Sequence, residues 1–370
     1  MGLAKSSERE QIEIRMHPWL VDNIGPLIFA STVFLCSVVA VTLHVILPST
    51  DDPVFTAWPS PMFLLTQIIV SILSPALKNK EQNQSLIISA AIEPPIAMDK
   101  LRLERFKKLI GNASKTDVPL LYPITECFRL LIQTMCLPTF PVNILGSVLL
   151  RSRHVVLRSI TEGEKLSWRS MVSSKGIRTT IKGDTEIDIF STAADSDGQA
   201  VWKAVVTVIV LGKNRNKGAA QAAPAPSAER REIEQWSLDD SVGRKFGLLS
   251  GDLNPIHIHW TLSRLFGFKR PIAHALFLVA KAEACLRSAG VAPIYPSIIE
   301  TDFKRPTLLP AKLTMTIEEE GSTRDWSQAA SSELGLGFAV VTAADPSSGQ
   351  KKDVVVGRLW QGKAAMKKAA

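Results

Sequence analysis

Two helix-length apolar runs, residues 124–137 (ITECFRLLIQTMCL) and 272–288 (IAHALFLVAKAEACLRS), constrain this chain more than any other feature. A helix that is apolar nearly all round offers no face to water, so other parts of the chain must wrap it. The stretches C-terminal to each run can do the wrapping. Four β-rich stretches come after the first, at 147–160, 164–173, 178–193 and 200–212, and four more after the second, at 296–304, 311–319, 336–343 and 353–361. Pro138 stops the first helix and Gly290 caps the second, while Gly163, Gly176 and Asp197-Gly198 mark turns. One helix followed by about four strands, twice, is an internal repeat of architecture.

A curved antiparallel sheet closing round a central helix supplies the wrapping surface, and two such units make an α+β double hot-dog. Residues 213–231 (KNRNKGAAQAAPAPSAERR), rich in Ala, Pro and charge and without apolar periodicity, read as the linker between the units. The expected domains are an N-terminal membrane anchor at 1–99, a first unit at 100–212, the linker, a second unit at 232–362 and a basic tail at 363–370.

Composition excludes some classes. Of 370 residues 46% are hydrophobic and 21% charged, which fits a folded protein and not a solvated tail. The net charge of +8 does not imply nucleic acid, because the basic residues are scattered, only two Tyr are present and no zinc-finger spacing occurs. Cys36, Cys127, Cys136 and Cys285 form no CxxC pair and sit in apolar runs, as reduced buried thiols do.

The anchor is read from two uncharged runs. Residues 24–47 are long enough to cross a bilayer as a helix, and residues 54–77, interrupted by Pro59, Pro61 and Pro75, form a candidate second span. Lys5, Arg9 and Arg15 before the first run, Asp51 and Asp52 between the runs and Lys78 and Lys80 after the second favour a hairpin with both ends cytosolic, the catalytic region included. Trp19 and Trp58 then lie at the interfaces, and the basic, amphipathic stretch 100–110 suits anionic headgroups as well as an ordinary solvated face.

The chemistry concentrates in residues 243–259, GRKFGLLSGDLNPIHIH. Ser250, Gly251, Asp252, Asn254 and Pro255 form a dense turn cluster that places a carboxylate, Asp252, and an imidazole, His257, five residues apart. A stiff turn of this kind can aim both groups at one water, as hydration of an activated alkene requires. Taken alone, DxNPxH equally describes an Asx-turn beside a packed histidine. Behind it, residues 269–275 (KRPIAHA) open the second apolar helix, whose first amides lack internal partners, so the N–H of Ala275 is placed to hold an oxygen that becomes negative. His257 and His259 form an HxH that can chelate zinc, but no HExxH or cysteine cluster adds a third ligand, and no metal is expected.

Residues 243–276, with SGDLNPIHI and FGFKRPIAH at their core, resemble the MaoC-like, hydratase-2 family of (R)-specific enoyl-CoA hydratases and 3-hydroxyacyl-thioester dehydratases. VPLLYP, FPVNILGSVLLRSR and DFKRPTLLP extend a weaker resemblance over about 100–362, whereas the first 99 residues have no counterpart in the family pattern. The resemblance implies that Asp252 and His257 activate water, that Asn254 orients it, that Ser250, Gly251 and Pro255 shape the loop, and that the first unit houses the acyl chain. It also implies reversible conversion of trans-2-enoyl thioesters to (R)-3-hydroxyacyl thioesters with no cofactor beyond the coenzyme A or acyl-carrier part of the substrate. Arg151, Arg153, Lys304 and Arg305 are candidates for the coenzyme A phosphates.

Two positions depart from the family pattern. Ala275 replaces the helix-opening glycine, and Phe246-Gly247 replaces the usual Tyr-Ala. The expected partners are an acyl thioester and membrane lipid, with a homodimer as the candidate assembly and no nucleic acid. The competing reading is a catalytically silent, membrane-tethered acyl-thioester-binding or scaffold protein.

Overall fold

The expected strands and the two central helices fall close to where the apolar patterns place them, but the first unit gains two strands, Val54–Phe55 and Ile87–Ala97, and divides the 178–193 stretch in two, while the second gains Arg230–Leu238. A computed structural model describes residues 52–60, 63–64, 66–68, 71, 87–112, 117–142, 147–210, 229–318, 326–344 and 349–369. In chain order the first unit comprises β1 (Val54–Phe55), β2 (Ile87–Ala97), α1 (Lys100–Ile110), α2 (Tyr122–Cys136), β3 (Ser147–Val156), β4 (Lys165–Ser173), β5 (Ile177–Thr179), β6 (Thr185–Ala194) and β7 (Ala200–Val210). The second comprises β8 (Arg230–Leu238), α3 (Val242–Ser250), α4 (Trp260–Leu265), α5 (Ala275–Ser288), β9 (Ser297–Phe303), β10 (Ala311–Glu318), α6 (Trp326–Ala330), β11 (Leu336–Thr342), β12 (Asp353–Gln361) and α7 (Gly362–Ala369).

All strands join one sheet in the order β1-β2-β4-β6-β7-β3-β9-β12-β11-β10-β8, with β5 beside β6. Outward from the β3–β9 junction, β7, β6, β4 and β2 on one side are matched by β12, β11, β10 and β8 on the other. This mirrored order is what two copies of one unit produce when joined edge to edge. At the junction Ser152 faces Thr301 in register, and their hydroxyls bond at 2.8 Å.

The central helices α2 and α5 lie in one continuous core. Tyr122, Ile124, Cys127, Leu130 and Leu131 of α2 are buried, as are Leu276, Phe277, Val279, Ala280 and Ala282 of α5. The start of α2 has no side-chain cap of its own. Glu283, buried on α5, accepts from Leu120 N–H at 2.7 Å and Leu121 N–H at 3.0 Å, and is itself held by Arg287 Nε at 2.8 Å. A carboxylate at a helix N-terminus meets unpaired amides and the positive end of the dipole, so Glu283 ties the second unit to the first.

Several boundaries need correction. β2 lies inside the stretch assigned to the anchor, and Arg230, assigned to the linker, already belongs to β8. Both strands are masked by composition: β2 contains Pro94 and Pro95 at a register shift, and the charged edge strand β8 buries only Trp236 and Leu238. The stretch assigned as a basic tail is helix α7, with Ala364 and Ala365 packed on Ile298 and Trp360.

The described residues of the candidate second span also pack on the folded protein. Val54–Phe55 pairs in parallel with Ala91–Ile92, Leu64 and Ile68 are buried in the core, and Trp58 packs on Trp168 at 5.5 Å between ring centroids. The apolar side chains of these described residues find a protein surface. Likewise α1 turns Arg102, Leu103, Phe106, Lys107 and Ile110 into the protein, so its amphipathic face is not turned to headgroups. Among the described residues no helix is long and apolar enough to cross a membrane, and the first run, 24–47, lies outside them.

Candidate active site

The turn between α3 and α4 carries the acid and the imidazole, and α3 lies flush against it. A methyl group on Gly243 would fall 2.0 Å from the His257 carbonyl oxygen, and one on Gly247, a helical turn later, 2.7 Å from that of Asp252. This explains one departure from the family pattern: an alanine at 247 does not fit this close approach. Gly251 ends α3 at φ 82°, a left-handed conformation that glycine adopts without strain. Ser250 Oγ then donates to Phe246 O at 2.9 Å and accepts from Asp252 N–H at 3.1 Å.

Downstream, Asp252 Oδ1 accepts from Asn254 N–H at 3.2 Å, and Asn254 Oδ1 accepts from Ile256 N–H at 3.3 Å, where Pro255 opens a single 3-10 turn, Pro255–His257. Ser250, Gly251, Asn254 and Pro255 thus shape the loop.

The bond made by one nitrogen of His257 decides what the other can do. Its Nδ1 lies 2.8 Å from Ile272 O. A carbonyl only accepts, so Nδ1 carries the proton and the Nε2 lone pair is free. Asp252 Oδ2 lies 3.9 Å from that Nε2. The gap is longer than a direct hydrogen bond and short enough for one water to bond to both groups.

His274, a residue that the sequence pattern does not single out, completes the cluster. Its Nε2 donates to Asp252 O at 3.1 Å and lies 3.6 Å from Asp252 Oδ2, and its ring stacks on that of His257 with centroids 3.7 Å apart. Phe246 packs on His274 at 5.0 Å. The one signal for it is its place in KRPIAHA, immediately before the helix, where the amide of Ala275 draws the attention first.

Burial pushes the Asp252 carboxyl above the usual carboxylate range, with His257 and the Asn254 N–H pulling it back. Burial pushes His257 below the usual imidazole range, opposed by Asp252 and by its bond to Ile272. His274 falls well below that range, by burial first and by its neighbour His257 second. Burial thus favours the neutral form of both rings, and a neutral His257 can accept a proton.

Ligating atoms of Asp252, His257 and His274 lie within 4.8 Å of one another, a spacing that a metal ion could share. The proton that His274 Nε2 gives to Asp252 O occupies one of those positions. His259 Nδ1 accepts from Thr261 N–H at 3.3 Å and caps α4.

A cavity of about 370 Å³ opens on this group, lined by Asp252, Asn254, His257 and Ala275 and, from α2, by Phe128, Leu131, Ile132 and Met135. α5 starts at Ala275, three residues later than the apolar run, so the Ala275 N–H has no acceptor within the helix. Lys304 and Arg305 also line the cavity, whereas Arg151 and Arg153 line a separate groove on the sheet. A bulge between Leu149 and Arg151 resets the alternation of β3, so Ser152 and His154 turn inward while the arginines face outward. There Arg151 pairs with Glu186 at 2.6 Å and Arg153 with Glu300 at 3.4 Å.

Comparison with known proteins bears on the second unit and on the fold. Residues 222–341 match the family described as MaoC like domain. The chain is 22% identical over 229 residues to 3-hydroxyacyl-thioester dehydratase X of Mycobacterium tuberculosis, covering 60% of this chain and 78% of that protein. A MaoC-like dehydratase from Phytophthora capsici superposes with a TM-score of 0.58 at 18% identity, over 78% of this chain and 99% of its own. A Mycobacterium tuberculosis protein described as having a double hot-dog fold superposes at 0.52 with 13% identity, over 75% of this chain and 95% of its own. Residues 222–341 therefore resemble a MaoC-like domain, and they lie within a double hot-dog fold.

Proposed function

We propose that this chain catalyses the reversible hydration of trans-2-enoyl thioesters to (R)-3-hydroxyacyl thioesters. The observation that carries the reading is the free Nε2 lone pair of His257 facing the Asp252 carboxylate across 3.9 Å in an apolar cavity. A water bound between them loses a proton to the pair as its oxygen attacks C3 of the enoyl group. The negative charge that develops on the thioester oxygen is held by the Ala275 N–H. The same proton then passes to C2, so the pair returns to its starting state and water is the only co-reactant. The dehydratase name of the mycobacterial relative supports this reaction class.

The α2 side chains on the cavity wall receive the acyl chain, and Lys304 and Arg305 meet the phosphates when coenzyme A is the carrier. No metal or redox cofactor takes part, so treatment with a chelator leaves turnover unchanged. The test is loss of the enoyl absorbance of crotonyl-CoA with purified protein, followed by a chain-length series with chiral product analysis. Absence of turnover across the series, with acyl-CoA still bound, establishes the silent acyl-thioester-binding alternative.

A further inference from the structure

Beside the cavity, the segment after His257 presents to solvent what a folded surface ordinarily conceals. Trp260, Leu265 and Phe266 are 51%, 77% and 37% exposed. Arg264, Lys269 and Arg270 stand exposed among them, and none of the three forms an ion pair with the described residues. Between Asp240 and Glu283 the only acidic residue is Asp252, which is committed to the site. Isolated exposed apolar side chains, such as Ile181 on the first unit, are ordinary. Three in one short segment, all interleaved with cations, are not.

We propose that this face, α4 and the loop after it, docks on an anionic lipid surface. Indole and phenyl rings flanked by Arg and Lys suit the boundary between headgroups and acyl chains, where the ring is half solvated and the cation meets phosphate or carboxylate. The guanidinium of Arg264 stacks on Trp260 at 4.9 Å and holds the indole on the surface. A second copy of the chain is a poorer occupant, because a two-fold contact here sets these cations against their own copies. Phe268, in the same segment, lines the catalytic cavity, so docking brings the cavity wall to the lipid. Delivery of an acyl substrate from the lipid to the cavity would follow, and only that consequence rests on the hydratase reading.

The test is amide hydrogen exchange on the full chain with vesicles of phosphatidylcholine alone and of phosphatidylcholine mixed with phosphatidylserine. Exchange across 258–270 slows by about tenfold or more on the mixed vesicles and not on the neutral ones. Lys269→Glu with Arg270→Glu, and separately Trp260→Ser with Phe266→Ser, remove that protection while turnover of soluble crotonyl-CoA stays at the unmodified level. Equal protection on both vesicle types, no protection on either, or protection in concentrated protein without lipid overturns the proposal, the last by making the face a contact between copies. A chain that docks but never hydrates crotonyl-CoA refutes the proposed activity and leaves the docking surface standing.

Discussion

At the scale of single residues, reactivity follows from one proton position. Because His257 Nδ1 is committed to Ile272 O, only Nε2 can exchange protons with a substrate water, and Asp252 is the group opposite it. Asp252→Asn and His257→Ala are each expected to lower kcat by at least about a hundredfold with little change in unfolding midpoint. Wild-type turnover in either variant removes the mechanism. The pH profile tests the same pair. His257 must be neutral to accept a proton, so activity is present above its pKa and lost as pH falls through it. That pKa is depressed below 6.5 while that of Asp252 is raised above 3.8, and the two titrate as a pair. The acid limb of kcat/KM is therefore expected below the usual imidazole range, and a midpoint above 6.5 contradicts a buried neutral His257. Ala275 separates backbone from side-chain effects: Ala275→Gly should keep or raise activity, whereas Ala275→Pro, which deletes the N–H, should abolish it. Activity in the proline variant eliminates the oxyanion assignment.

At the scale of elements, the catalytic turn is held partly from the unit that lacks DxNPxH. Arg102 of α1 is buried, pairs with Glu126 of α2 at 2.6 Å, and donates through its other terminal nitrogen to Leu249 O, three residues before Asp252. Tyr122 bonds the second oxygen of Glu126. On the facing side, a methyl group on Gly251 would meet Arg129 and Leu64, so the N-terminal segment also reaches the turn. Arg102→Met strands Glu126 in the core and should cost about 3–5 kcal/mol in denaturant unfolding. Combining it with Glu126→Leu should recover most of that stability, while kcat stays low because the tether to Leu249 is still missing. Full recovery of kcat in the double variant makes Arg102 a packing residue only. Sequence pattern locates α1 as an amphipathic basic helix. It cannot show that Arg102 faces Leu249, since a residue at one end of a repeat meets one far along the chain only after both units close.

At the scale of the whole molecule, two like units share one sheet and one core, and Glu283 bridges them. Glu283→Leu leaves two buried amides at the start of α2 without an acceptor and should destabilise the chain by about 3 kcal/mol in urea unfolding. A loss smaller than about 1 kcal/mol means that the units are held by the sheet and the apolar core alone.

Local pattern by itself determined the repeat, eight strands, both central helices and the catalytic turn. Each of these depends on periodicity, turn chemistry or a helix start, which neighbouring residues set among themselves. It missed the short β1, did not separate β5 from β6, and missed β2 and β8, whose prolines and charges are tolerated because each lies toward an outer end of the sheet. It also took the 54–77 run for a membrane span, because an apolar stretch carries no mark of which apolar partner will cover it. Only the tertiary structure decided that Leu64 and Ile68 enter the protein core, that Arg151 and Arg153 face away from the cavity, and that His274 stacks on His257. Each of those outcomes depends on a neighbour brought close by tertiary packing, by a bulge or by the return of the loop at Ile272 to the turn, and none of these is written in the spacing of nearby residues.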